Sequence, residues 1–184
     1  IAMRRDFHMY PEPAWLEYRS AAKVADRLIS LGYDVALGAD VLDLESRMGL
    51  PSDEIMKAAM DRAIKEGANP ELVEKMGYGK TAIVATMNFG GEGPVVAFRV
   101  DMDSNDVIEA KEDSHVPTKE GFRSCHDKAM HACGHDAHMT MGLGLAEYLA
   151  AHKDEFKGTI KLIFQPAEEG VRGAKAMAEA GVVD

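Results

Sequence analysis

The chain has 184 residues, 46% hydrophobic and 28% charged, so it can bury a core, and its length suits one domain or a piece of a larger one. Twenty-one basic residues against 31 acidic ones give a net charge of -10, which argues against a general binder of nucleic acid or anionic membranes. No apolar run approaches the roughly 20 residues that cross a bilayer, no secretory peptide is visible, and two cysteines eight residues apart form no disulfide scaffold, so a cytoplasmic, reducing setting is expected.

Residues 14–31 read as an amphipathic helix, with Val24, Leu28 and Leu31 at helical spacing and Gly32 as its stop; Pro11 and Pro13 keep the preceding chain extended. A short strand is expected over Tyr33–Leu37. Residues 40–78 read as a helical insertion and a surface excursion. There Pro51-Ser-Asp-Glu opens a helix capped by Ser52, with Ile55, Ala59, Ala63 and Ile64 as its apolar stripe, and Asn69-Pro70 opens a second. Strands follow at 81–89 and 95–100, the latter apolar enough to be buried on both faces. Residues 103–130 read as a polar loop, 137–152 as a helix, 158–164 as a third buried strand and 173–180 as a last helix closed by Gly181. The alternation predicts an α/β fold, a layered and mainly parallel sheet with flanking helices.

Three polar motifs fall where such a sheet gathers its ligands, beyond the carboxyl ends of strands. Asp101-Met-Asp103 follows one strand, Glu168-Glu169 another, and His131-Ala-Cys133-Gly-His135-Asp136-Ala-His138 opens a helix. A lone Cys-x-His reads as a structural cysteine beside surface histidines. Three histidines and an aspartate within eight residues make a metal-ligand set the better reading, since borderline cations favour thiolate with imidazole. Gly134 permits a tight turn, and Asp136 is placed to fix an imidazole tautomer. Paired carboxylates after a buried strand are costly unless one binds a cation and the other handles a proton. Asp101 and Asp103 share a side of the strand and suit a supporting role behind ligand histidines, with Arg99 as their partner. Cys125 and His126 read as plain loop residues. A cysteine-nucleophile hydrolase built on Cys133 and His135 would leave the two glutamates without a role.

These motifs, with Arg4-Arg-Asp-Phe-His-Met-Tyr-Pro-Glu12 and Gln165-Pro-Ala-Glu-Glu-Gly170, resemble the M20 metallopeptidase family, nearest its N-acyl-amino-acid and hippurate amidohydrolase branch. The insertion containing Asp43–Pro51 and the run Gly121–Cys125 look most like the aminobenzoyl-glutamate hydrolase A-subunit group. The resemblance implies a zinc-exopeptidase-like catalytic domain with two divalent ions, zinc or manganese, that hydrolyses an amide of a small N-acyl amino acid. By motif, Cys133 would bridge the metals, His135 and Glu169 would be ligands, Glu168 the general base, and Asp103 a support behind the ligands. Two such ions would stabilise the attacking hydroxide and the tetrahedral oxyanion. Family members carry two further ligand histidines downstream and an inserted dimerising lid domain. The chain is therefore expected to be the amino-terminal part of a catalytic domain, inactive alone, in a protein that forms homo- or hetero-oligomers. The competing expectation is a non-catalytic metal-binding or interaction module that pairs with a complete copy.

Overall fold

The computed structural model describes residues 1–184. In chain order the elements are α1 (Ala2–Met9), α2 (Tyr18–Ser30), β1 (Asp34–Leu37), α3 (Asp53–Lys65), α4 (Pro70–Lys75), β2 (Ile83–Gly90), β3 (Val95–Asp101), α5 (Val116–Lys119), α6 (His135–Ala151), β4 (Gly158–Gln165) and α7 (Gly173–Glu179). The caps behave as the sequence suggests: Ser52 accepts from the Ile55 amide and Asn69 from that of Glu71, closing the first turns of α3 and α4. No helix is long and apolar enough to cross a membrane.

The four strands form one sheet in the order β1-β2-β4-β3. The fold is α/β, but the sheet is mixed rather than mainly parallel: β3 and β4 run parallel, while β1–β2 and β2–β4 are antiparallel. Strand–helix–strand alternation specifies parallel pairing only where the helix crosses back over the sheet, and β3–α6–β4 is the one unit that does so. The helices between β1 and β2 pack on α2 instead.

Burial alternates along the central strands. Ile83, Ala85, Leu162 and Phe164 face the larger core, shared with Tyr18, Val24 and Leu28 of α2 and Met139 and Leu143 of α6. Val84 and Ile163 face a smaller core with Trp15, Val41, Ala176 and Met177. The 40–78 segment is no surface excursion, because Ala59, Met60, Ala63, Val73 and Met76 all join the larger core. The buried stripe of α3 is Met56, Ala59, Met60 and Ala63; Ile55 and Ile64 are exposed. Strand β3 also departs from expectation. It is the sheet edge, and Val95, Val96 and Phe98 are exposed rather than buried on both faces.

Two departures lie near the amino terminus. Residues 2–9 form a helix that buries Phe7 and His8, and α2 starts at Tyr18 rather than residue 14. The intervening stretch turns at Trp15 and makes a bridge from Pro13 to Ser104, which docks it beside the end of β3.

Candidate metal centre

The parallel register pairs Asp101 with Gln165, so β3 and β4 release Asp103 and the Glu168-Glu169 turn at the same edge of the sheet. Helix α6 starts there as well. Gly134, at its N-cap, has φ +90°, a conformation that suits a residue without Cβ and brings Cys133 and His135 to one side of the helix start. The glutamate turn is contorted: Ala167 and Val171 both adopt left-handed backbone angles, each costing about 1–3 kcal/mol and persisting only when surrounding contacts impose it. Its exit is equally constrained, since a Cβ at Gly173 would collide with the Pro166 carbonyl oxygen.

Asp103 imposes much of that geometry. Its fully buried carboxylate accepts the amides of Glu168 and Glu169, both at 2.9 Å, so the support role expected of it is directed at the glutamate turn. Its main-chain carbonyl accepts His135 Nδ1 at 2.7 Å. A carbonyl only accepts, so Nδ1 carries a proton and Nε2 is aimed outward at three acids: Glu168 at 3.7 Å, and Glu169 and Asp101 at 3.9 Å. Beneath the turn, buried Glu17 accepts the amides of Trp15 and Ala167 and the Thr81 hydroxyl. Burial, with the Asp103 charge nearby, pushes the Glu17 carboxyl up to about 8.

The three residues expected to bind metal converge. Cys133, His135 and Glu169 each present a ligand atom within 4.8 Å of the others, and Asp101, His135 and His138 form a second such triad sharing His135. The donor set fits divalent cations. Glu169 Oε1 is buried without a hydrogen-bond partner, although an anionic oxygen in that setting demands one. Burial opposes charge on His135, yet hydrogen bonding to Asp103 and the neighbouring acids push the ring up to about 9, so the pocket favours positive charge. The Glu169 carboxylate beside it, assisted by burial and the surrounding acids, pushes the Cys133 thiol up, which works against a free thiolate nucleophile. Glu168 stands at the rim, its side chain 39% exposed.

The other motif residues serve nearby contacts. Arg99 pairs with Asp101, as expected, and reaches Gln165. Asp136 holds an imidazole, but that of His8 (2.8 Å), and pairs with Arg4; His8 in turn reaches Glu109 at 2.8 Å. Burial pulls His131 down to about 4, and neither of its ring nitrogens finds a partner. Sequence reasoning assigned no ligand role to Asp101 or His138, although Asp101-x-Asp103 and the third histidine of the motif carried the signal. Glu17 and the His8–Glu109 pair were missed. An acid between Trp15-Leu16 and Tyr18 was the only local hint of the former.

A sulfur, imidazoles and carboxylates are brought to the carboxyl edge of a mixed sheet, a donor set suited to divalent cations, with a second glutamate at the rim. Residues 97–184 match the model of Peptidase family M20/M25/M40. The matched segment contains Asp101, Asp103, Cys133, His135, His138, Glu168 and Glu169. The chain is 52% identical over 181 residues to the indole-3-acetyl-aspartic acid hydrolase of Enterobacter agglomerans, and 51% identical over 181 residues to one of the subunits of the p-aminobenzoyl-glutamate hydrolase of Escherichia coli K12. Each alignment takes in 98% of this chain and 42% of the relative, so the chain spans about two fifths of the length of these curated relatives. An aminobenzoyl-glutamate utilization protein from Klebsiella pneumoniae superposes with a TM-score of 0.82 at 46% identity, over 99% of this chain and 40% of that one. A Bacillus subtilis protein described as a dinuclear metal-binding peptidase of the M20 family gives 0.70 at 28% identity, over 100% and 39%.

Proposed function

We propose that the whole protein is a metal-dependent amidohydrolase that cleaves the amide of a small N-acyl or aminobenzoyl amino acid. The observation that carries this reading is the pair of triads sharing His135, with Glu168 3.7 Å from the shared ring. Cys133, His135 and Glu169 would hold one of two divalent ions, zinc or manganese, with Asp101 and His138 as neighbouring donors. Bound there, such ions supply Lewis acidity toward water and the amide carbonyl.

The chain's own residues do the rest. Glu168 takes a proton from the attacking water and returns it to the leaving amine. Its backbone is pinned by Asp103, and its side chain stands at the rim where water can reach it. Asp103 also orients His135 through its carbonyl, which keeps Nε2 available as a donor. The names of the two hydrolases above support an amino acid conjugate of aspartate or glutamate as substrate.

In this reading residues 1–184 are the amino-terminal part of the catalytic domain. Two further ligand histidines and a dimerising lid domain come from the remainder of a protein whose relatives are more than twice as long. The 184-residue chain alone is then inactive. Two unpaired cysteines suit a reducing, cytoplasmic setting. Glu168→Gln in the full-length protein tests the assignment with p-aminobenzoyl-glutamate as substrate. Turnover should collapse while bound metal is retained. Unchanged turnover would return the glutamate to a passive role and favour a binding module instead.

A further inference from the structure

Away from the sheet edge, the loop after β3 carries a thiol and an imidazole against the end of α3. Cys125, His126 and Glu66 each offer a ligand atom, and these lie within 4.8 Å of one another. His126 Nδ1 is 2.8 Å from the Pro11 carbonyl oxygen, so Nδ1 carries a proton. Nε2 then faces Glu66 Oε1 at 2.8 Å. At that separation the two atoms are joined by a ring proton, which a cation bound to both would displace. A proton would serve one nitrogen and one oxygen. It would leave Glu66 Oε2, which is buried and has no hydrogen-bond partner, and the Cys125 sulfur unused.

We propose that Glu66, Cys125 and His126 form a separate metal site that takes a thiophilic divalent cation such as Zn²⁺. One thiolate, one imidazole and one carboxylate from two distant stretches of chain are a donor set that this ion accepts, and the exposed Cys125 leaves a position open to water. The Arg62 guanidinium, one turn earlier on α3 and with Nε and Nη2 buried and unpartnered, opposes a cation. The thiolate and carboxylate together outweigh its single charge. The ion would tie the end of α3 to the segment that supports the catalytic turn. The Cys125 amide bonds to the Met9 carbonyl, His126 to that of Pro11, and the Glu12 carbonyl accepts the Ser104 amide, next to Asp103.

The test uses the full-length protein with Cys133→Ala, which removes the sulfur of the catalytic centre, titrated with Co²⁺. The near-ultraviolet thiolate-to-cobalt band should persist, compete away with Zn²⁺, and vanish when Cys125→Ser is added. In parallel, elemental analysis of Cys125→Ser in an otherwise native background should find one equivalent of metal fewer than in the native protein, and this readout does not depend on the Cys133 variant folding. Absence of the band in Cys133→Ala, its survival in the double variant, or equal metal content would overturn the proposal and leave the Glu66 carboxylate a partner of His126 only.

Discussion

Asp103→Asn isolates the residue that holds the catalytic turn, because it changes one oxygen to nitrogen at nearly constant volume. In the native protein the two carboxylate oxygens accept the amides of Glu168 and Glu169, both at 2.9 Å. A hydrogen bond to a charged acceptor contributes about 1.5–3 kcal/mol net, and a buried donor left without a partner costs about 1–3 kcal/mol. The asparagine oxygen keeps one amide, and its NH2 group confronts the other. Removing a negative charge beside Glu17 works the other way, since the Asp103 charge helps push that carboxyl up. The lost bond and the opposed donors outweigh this relief, giving a net destabilisation of about 2–4 kcal/mol. Asp103→Ala should cost more, since both amides lose their acceptor. Urea denaturation of the full-length variants, read as midpoint shifts at constant m, measures the difference, and turnover should fall because Glu168 loses its anchor. A variant Asp103→Asn with the native midpoint and turnover within about twofold of native would refute the claim that this carboxylate shapes the turn.

Glu168→Gln should lower kcat by about 10²–10⁴, the usual contribution of a positioned proton acceptor, with little change in metal content. Glu17 gives a pH signature. Its folded-state pKa is raised from 4.5 to about 8, so its contribution to stability is fully present below pH 4.5 and is lost as pH rises through about 8. Glu17→Gln should flatten that part of the stability profile, as followed by denaturation midpoints at fixed ionic strength; a slope equal to that of the native protein would show that Glu17 titrates normally.

What the sequence disclosed and what it hid divide along local and non-local lines. Ser52 and Asn69 mark helix starts through short-range hydrogen bonds, and both do what their positions suggest. That Cys133, His135 and the Glu168-Glu169 pair would converge was legible because each sits in a short, chemically dense motif and strand ends carry such motifs to one edge, while the choice of Glu169 as the expected ligand came from the family resemblance. Strand β3 was misjudged because an apolar run does not reveal its place in the sheet; β4 lies between it and β2, and that pairing spans the whole loop and helix α6. The stripe of α3 was ambiguous because Met56 competes with its neighbour Ile55 and Ala63 with its neighbour Ile64, and only packing against α2 decides. Helix α1 was hidden by its charges, Arg4, Arg5 and Asp6, whose partners are more distant along the chain. The His8–Asp136 contact, 128 residues apart, could not have been read from spacing.

The central claim is that Cys133, His135 and Glu169 hold a divalent ion beside Glu168. Anomalous diffraction at the zinc and manganese edges, from crystals of the full-length protein grown with those ions, addresses it without reference to activity. The account predicts a peak about 2.0–2.3 Å from the Cys133 sulfur, His135 Nε2 and a Glu169 oxygen. Fully metal-loaded crystals with no anomalous density between these three atoms would contradict it.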